Sequence, residues 1–189
     1  PSLEAARTTG AVERVFREEF ERLTGRKPGY TSFAGSAATA REHAEGLLRV
    51  IERYPDIKLR GISTTGFKPG ETAYAHAVGS ERIAFNYEYT SPAGRKNYLE
   101  SLRRDNASWD QGIQEYGLGI FKRSGWHPRG ADNPTAVATH EGGHILDAGL
   151  RNHTAFELDL EDLLAERTRE AMALGRALPE TPITGADDL

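Results

Sequence analysis

The sequence contains no cysteine. Disulfide bonds, thiolate zinc sites and cysteine nucleophiles are therefore excluded, and any metal ion must be held by histidine, aspartate or glutamate. No apolar run is long enough to span a membrane, and Pro1 to Glu4 lack the basic and apolar regions of a secretory signal. The net charge of −4 provides no general basic field. We therefore expect neither a nucleic acid nor a membrane surface as a partner.

Methionine is nearly absent as well, since Met172 is the only one. The sequence begins at Pro1 without an initiator, which favours a processed product or a segment of a larger polypeptide. Its 189 residues suit a single compact domain with a sizeable core rather than two small domains.

Two amphipathic helices are predicted in the first third of the chain. Apolar residues recur at spacings of three and four from Ala11 to Leu23, and Gly25 is expected to end that helix. A second helix is predicted from Ser36 to Tyr54, where Pro55 stops it.

Three strand-like runs separated by turn-forming residues follow, and they predict a small, mostly antiparallel sheet. These runs are Ile57 to Ser63, Thr72 to Val78 and Arg82 to Thr90. In the third run apolar and polar side chains alternate, as in a half-buried strand. Beyond it we predict a helix from Asn97 to Arg104 and a long loop from Trp109 to Asn133, with one short strand near Leu118 to Phe121.

The next predicted helix, from Pro134 to Leu150 with Asn133 as its cap, carries the residues of a metal site. His140 and His144 are four residues apart, so their side chains project from the same face of a helix and can bind one zinc ion. Glu141 is turned by about 100° from His140 and can reach a water on that ion, which is the position of a general base. The pattern predicts zinc-dependent hydrolysis of a peptide bond.

Gly142 and Gly143 inside this helix each cost about 1 kcal/mol relative to alanine, so close approach of another segment or of substrate is expected there. Two alternatives stay open. In the first, the two histidines are ordinary polar residues of a solvent-facing helix. In the second, the chain is an inactive descendant of a peptidase that keeps the motif but not the activity.

A catalytic zinc ion needs a third protein ligand. The metzincin extension is excluded because Asp147 and Leu150 stand where it requires glycine and histidine. His153 is interpreted as a loop residue, and His43 and His76 as structural residues. The remaining candidates are carboxylates of a further helix, none of which stands out. That helix is predicted from Phe156 to Ala173, and its candidates are Glu157, Glu161, Asp162 and Glu166.

The segments Gly125-Trp126-His127-Pro128 and Ala136 to Asp147 resemble the lethal-factor-type gluzincins. That family includes peptidase domains at the ends of phage head-morphogenesis proteins and in polymorphic toxins. Its motif typically reads His-Glu, an aromatic residue or leucine, Gly-His, two apolar residues and Asp. Gly142 departs from this motif, and five residues fit it: His140, Glu141, Gly143, His144 and Asp147.

The resemblance implies a zincin-like fold, a Zn²⁺ cofactor and a peptide or protein substrate. It also implies that the substrate adds a strand to the sheet edge beside the active helix. The candidate for that edge is the strand Ile83 to Tyr89, for which plain core packing is the alternative. The resemblance further implies a third ligand from a later Glu-Phe-Phe-Ala-Glu type motif, and a tyrosine that assists the oxyanion. No tyrosine follows His144, and Asp162 to Glu166 echoes the motif only weakly. We therefore expect this chain alone to bind zinc weakly or not at all, with the missing elements supplied beyond Leu189.

The prediction is a single α+β, zincin-like domain over residues 1–189, with truncation at its C-terminal end as one interpretation. N-terminal helices and a small sheet are expected to pack on the active-site helix. The predicted function is that of a zinc metallopeptidase, with His140 and His144 as metal ligands and Glu141 as general base. Two alternatives remain: an inert structural or head-assembly module of a phage particle with a partial zinc site, and a toxin-like effector domain.

Overall fold

The computed structural model describes residues 2–116 and 132–150. Within these ranges the chain is α+β, with five helices and one three-stranded sheet. No helix among the described residues is long and apolar enough to cross a membrane. In chain order the elements are α1 Thr9–Thr24, α2 Ala37–Arg53, β1 Gly61–Ser63, β2 Ala75–Val78, β3 Arg82–Phe85, α3 Tyr87–Thr90, α4 Arg95–Tyr116 and α5 Pro134–Leu150.

The two predicted N-terminal helices are confirmed. Thr8 caps α1 by accepting a backbone N–H with its side chain, and the helix ends at Gly25, whose φ of 68° is left-handed. Ser36 caps α2 in the same way. These helix ends are determined by hydrogen bonds and backbone conformations of residues next to them in sequence, which explains why the sequence predicts them closely.

The predicted strands are shorter than expected and their pairing differs. The strand order is β1-β3-β2, in which β2 is antiparallel to β3 but β1 is parallel to it. The prediction of a mostly antiparallel sheet is therefore wrong, because the long connection between β1 and β2 lets them lie on opposite sides of β3 instead of forming a hairpin. Only β2 and β3 are joined by a tight turn, where Gly79 has a φ of 63°.

The third predicted strand ends five residues early, at Phe85 instead of Thr90, because the side chain of Asn86 diverts the backbone. Its amide nitrogen donates to the carbonyl oxygens of Glu71 and Ala73, and its oxygen accepts the N–H of Glu88. Asn86 thereby becomes the cap of α3, so the last residues of the run, up to Thr90, are helical. Alternation of apolar and polar residues did not reveal this.

The fourth helix is longer than predicted and corrects the start of the long loop. α4 continues through Trp109 to Tyr116. It holds a single glycine, Gly112, and no proline, so one unfavourable residue does not stop it. The short strand near Leu118 to Phe121 and the helix from Phe156 to Ala173 lie outside the described residues.

The core forms between the sheet and the helices. Phe33 lies between the rings of Phe16 and Phe85, with centroid distances of 5.3 and 6.4 Å. At the β1 edge of the sheet, Thr31 forms a parallel bridge to Ile62. Among the described strands, β2 lies at the opposite edge of the sheet. Core residues of α5, the helix of the candidate site, are Val137, Ala138 and Ile145.

Candidate metal centre and general base

α5 has the bounds that the sequence predicts, Pro134–Leu150. Asn133 caps it, since its side-chain oxygen accepts the N–H of Ala136 at 2.9 Å. Pro134 takes the first helical position, where its missing N–H leaves no hydrogen bond unmade. The helix that carries the His-Glu-x-x-His motif is thus confirmed.

The two histidines of the motif lie together on α5. The Nε2 atoms of His140 and His144 are 3.0 Å apart, and their ring centroids are 4.4 Å apart. Because twice the usual Zn–N distance is about 4 Å, both nitrogens can bind one ion. His144 is exposed and His140 is half-buried, so the face they share is open to solvent. The pair fits two of the positions of a zinc site.

Glu141, the residue that follows His140, is buried rather than open to solvent. Its side chain is only 3 % exposed. Within the part of the chain that the structure describes, its Oε2 is buried and has no hydrogen-bond partner. Burial raises the pKa of Glu141 to about 7, and the backbone N–H of Ala77 acts in the opposite direction by favouring the charged form. A carboxyl in this environment has the basicity that proton transfer near neutral pH requires.

Ala77 belongs to β2, and the register of the sheet explains why its N–H is available. The N–H of Asn86 donates to the carbonyl oxygen of Tyr74, and these two residues lie directly opposite each other. Hydrogen-bonded pairs alternate along an antiparallel ladder, so Ala75 and Ala77 direct their own N–H and C=O groups away from β3. At Ala77, therefore, the outer edge of β2 faces Glu141 of α5. Sequence reasoning expected a substrate-binding edge but placed it on the strand Ile83 to Tyr89.

Two glycines allow α5 to pack closely on α2. A Cβ atom at Gly46 of α2 would overlap the carbonyl oxygen of Thr135 and lie 2.9 Å from the Cβ of Ala138. A Cβ atom at Gly142 of α5 would lie 3.1 Å from a methyl group of Val50. Close approach was the expected reason for Gly142, and this contact supports it. Nothing among the described atoms lies within 4 Å of a Cβ atom at Gly143.

A buried polar pair lies deeper in the core. His43 stacks on Phe85 with ring centroids 3.9 Å apart, and its Nε2 lies 3.2 Å from the hydroxyl of Tyr98. Burial lowers the pKa of His43 to about 3, with a further contribution from the charge of Arg95. Burial also raises the pKa of Tyr98 well above its ordinary value, and the carboxylate of Glu141 adds to this. His43 is therefore a neutral core residue, in agreement with its interpretation from the sequence.

The described residues provide no third metal ligand beside His140 and His144. Within residues 2–116 and 132–150, no group of three His, Asp or Glu side chains could hold a metal ion. The candidates raised from the sequence all lie outside these ranges. They are His153, Glu157, Glu161, Asp162 and Glu166, and Trp126 and His127 of the family-like segment lie outside as well.

A scan against protein-family models found no match to this chain, and searches of curated proteins and of solved structures found none either. Its function must therefore be argued from the geometry and chemistry of the site itself.

Proposed function

We propose that this chain is a zinc metallopeptidase of the lethal-factor-type gluzincin kind. The observation that carries the proposal is the arrangement on α5. There the Nε2 atoms of His140 and His144 are 3.0 Å apart on an open face, and the carboxyl of Glu141, the residue that follows His140, is buried. A solvent-facing helix with three unrelated polar residues has no reason to bury its one glutamate against the edge of a sheet.

Zinc held by the two imidazoles would supply a Lewis acid and would lower the pKa of a water molecule at its open position. The role of Glu141 follows from its surroundings. Its Oε2, which has no hydrogen-bond partner among the described residues, can accept a proton from the attacking water and later deliver it to the nitrogen of the leaving amine. The N–H of Ala77 donates a hydrogen bond that stabilises the charged form of the carboxylate. The outer edge of β2 offers backbone groups that can align an extended peptide beside that carboxylate.

Zinc binding is the first test, and it needs no substrate. The purified chain is titrated with Zn²⁺ beside His140→Ala and His144→Ala, and His76→Ala serves as a control histidine on β2. We expect each helix variant to lose at least tenfold in zinc affinity and the control to keep it. A chain that binds no zinc, alone or within a longer polypeptide, would favour the inert structural module instead.

The same titration locates the third ligand. Tight binding by the 189-residue chain alone means that an acid among Glu157 to Glu166 completes the site, and Asp162→Asn is the first variant to make. Weak binding that a longer polypeptide tightens would place the third ligand beyond Leu189. Either outcome agrees with the proposal, because both require the two histidines of α5.

A further inference from the structure

His76 of β2 and Phe67, which precedes the strand, form an aromatic pair on the face of the sheet opposite to Ala75 and Ala77. His76 lies between these two alanines, and side chains alternate along a strand, so its ring projects from the other face. That ring stacks on Phe67, with centroids 4.4 Å apart and an angle of 28° between the planes. Both side chains are half-buried, so part of the pair remains open to solvent.

We propose that His76 and Phe67 form a specificity subsite that selects an aromatic or large aliphatic residue in an extended peptide bound along β2. The inference rests on the proposed peptidase function and names a determinant of its substrate class. The selected residue is the one that lies directly across from His76.

The hydrogen-bond pattern of β2 makes His76 the natural point of side-chain contact. Ala75 and Ala77 present N–H and C=O groups to the outer edge, and the N–H of Ala77 faces Glu141. Because Ala75 is buried, the hydrogen bond that is open to a peptide at this edge is the one that the carbonyl of Ala77 accepts. His76 then occupies a non-hydrogen-bonded position, where opposing Cα atoms are only about 4.5 Å apart and side chains are closest.

The neighbouring positions cannot discriminate to the same degree. Ala75 and Ala77 offer only methyl groups to the peptide residues across from them, and Ala75 is 7 % exposed. The stacked rings of His76 and Phe67 provide a flat apolar surface, and cross-strand pairs of an aromatic ring with another aromatic or a β-branched side chain are among the favourable ones. Of these three residues, only His76 offers a large side chain to the peptide, and Val78 lies at the next position on the same face.

The test compares cleavage profiles. A mixture of peptides with each position varied is incubated with the polypeptide, of 189 residues or longer, that the titration shows to bind zinc tightly, and the products are identified by mass spectrometry. We expect one position relative to the cleaved bond to favour Phe, Tyr, Ile or Val over Ala. In His76→Ala and Phe67→Ala that preference should fall about two- to fivefold, the range expected for one cross-strand pair. Val78→Ala is the matched control, because Val78 lies on the same face two residues along and is 36 % exposed. It should leave the preference at that position intact.

A second measurement separates the subsite from the peptidase activity. The best and worst peptides of the profile, or peptides differing only in Phe against Ala, are titrated onto Glu141→Gln, with and without His76→Ala. Cleavage or binding with an unchanged profile in His76→Ala would overturn the subsite and leave the peptidase proposal standing. Failure of the protein to cleave or bind any peptide would overturn the peptidase proposal, and the subsite with it.

Discussion

The close packing of α2 on α5 can be tested by adding one methyl group to it. In Gly46→Ala the new Cβ atom overlaps the carbonyl oxygen of Thr135 and lies 2.9 Å from the Cβ of Ala138. The oxygen belongs to the backbone of α5, so no side-chain rotation can relieve the overlap. The two helices must therefore move apart.

The magnitude follows from two opposing effects. Alanine in place of glycine favours a helix by about 1 kcal/mol, whereas forcing extra volume into a packed contact costs about 1–3 kcal/mol or more. Since the overlap is with backbone, we expect the upper part of that cost, and a net loss of about 1–3 kcal/mol in the free energy of unfolding. For a protein of this size each kcal/mol corresponds to about 2–4 °C in Tm.

Gly143→Ala is the matched control on α5. It makes the same change in helix propensity, but nothing among the described atoms lies within 4 Å of the new Cβ. It should stabilise the protein by up to about 1 kcal/mol. Urea unfolding of the two variants and the parent protein measures both effects. If Gly46→Ala is as stable as Gly143→Ala, the helices do not pack as described and the reasoning fails.

Gly46→Ala should also affect hydrolysis more than zinc binding. His140 and His144 are on the same helix, so their spacing is kept when α5 moves. The contact between Glu141 and Ala77 joins α5 to β2, and it is lost when they separate. We expect hydrolysis to fall at least tenfold with zinc affinity nearly unchanged, which parallel activity and zinc assays will check. Equal losses of both would mean that the helix itself has unfolded.

Two further predictions concern buried titratable groups. Glu141→Gln keeps the size of the side chain but removes the base, so hydrolysis should fall by about 10² to 10⁴ while zinc affinity measured by titration stays the same; loss of both would make Glu141 a ligand or a structural residue. The pKa of His43 is about 3 in the folded protein, near the charge of Arg95 and the hydroxyl of Tyr98, against 6.5 when unfolded. Protonation of His43 therefore favours the unfolded chain. As pH falls from 6.5 towards 3, this effect lowers the free energy of unfolding by about 1.4 kcal/mol for each pH unit. Urea unfolding at several pH values should show that the free energy of unfolding decreases less with falling pH in His43→Gln than in the parent protein. The same decrease in both proteins would contradict a neutral, buried imidazole.

The helices α1, α2 and α5 could be predicted from the sequence because the signals that begin and end them are local. Thr8, Ser36 and Asn133 accept hydrogen bonds from backbone N–H groups within three residues, and Gly25 takes the left-handed conformation that ends α1. None of these interactions depends on distant parts of the chain. The length of α4 was missed because the glycines and the proline between Trp109 and Asn133 were averaged over the whole segment, although its first eight residues contain only one glycine.

The sheet could be predicted only in part, because strand pairing joins residues far apart in sequence. Alternation indicates which face of a strand is buried, but it does not identify the neighbouring strand or its direction. The parallel pairing of β1 with β3 brings Ile62 next to Ile83, and no local signal encodes that register. Asn86 ended β3 through hydrogen bonds to Glu71 and Ala73, which are 15 and 13 residues away.

The candidate site, too, could be predicted only in part from the sequence. The spacing of His140 and His144 depends only on helix geometry, and the sequence predicts it. The hydrogen bond from the N–H of Ala77 to Glu141 depends on the register of β2 against β3. If that register slipped by one residue, the N–H of Ala77 would point towards β3 instead. The hydrogen bond depends also on Gly46, which lets α5 lie close to α2. The motif alone could not reveal either condition.

This division bears on what the motif can establish about activity. Any helix with histidines at this spacing can offer two nitrogens to zinc, so zinc binding by itself does not distinguish a peptidase from an inert relative. Proton transfer requires more, because the base must be buried, held and aligned with the bound peptide. In the proposed peptidase, the strand whose edge would align a peptide also supplies the N–H that faces Glu141. Substrate alignment and base position therefore share one element, and substitutions at the contacts of β2 should separate hydrolysis from zinc affinity where substitutions of the histidines cannot.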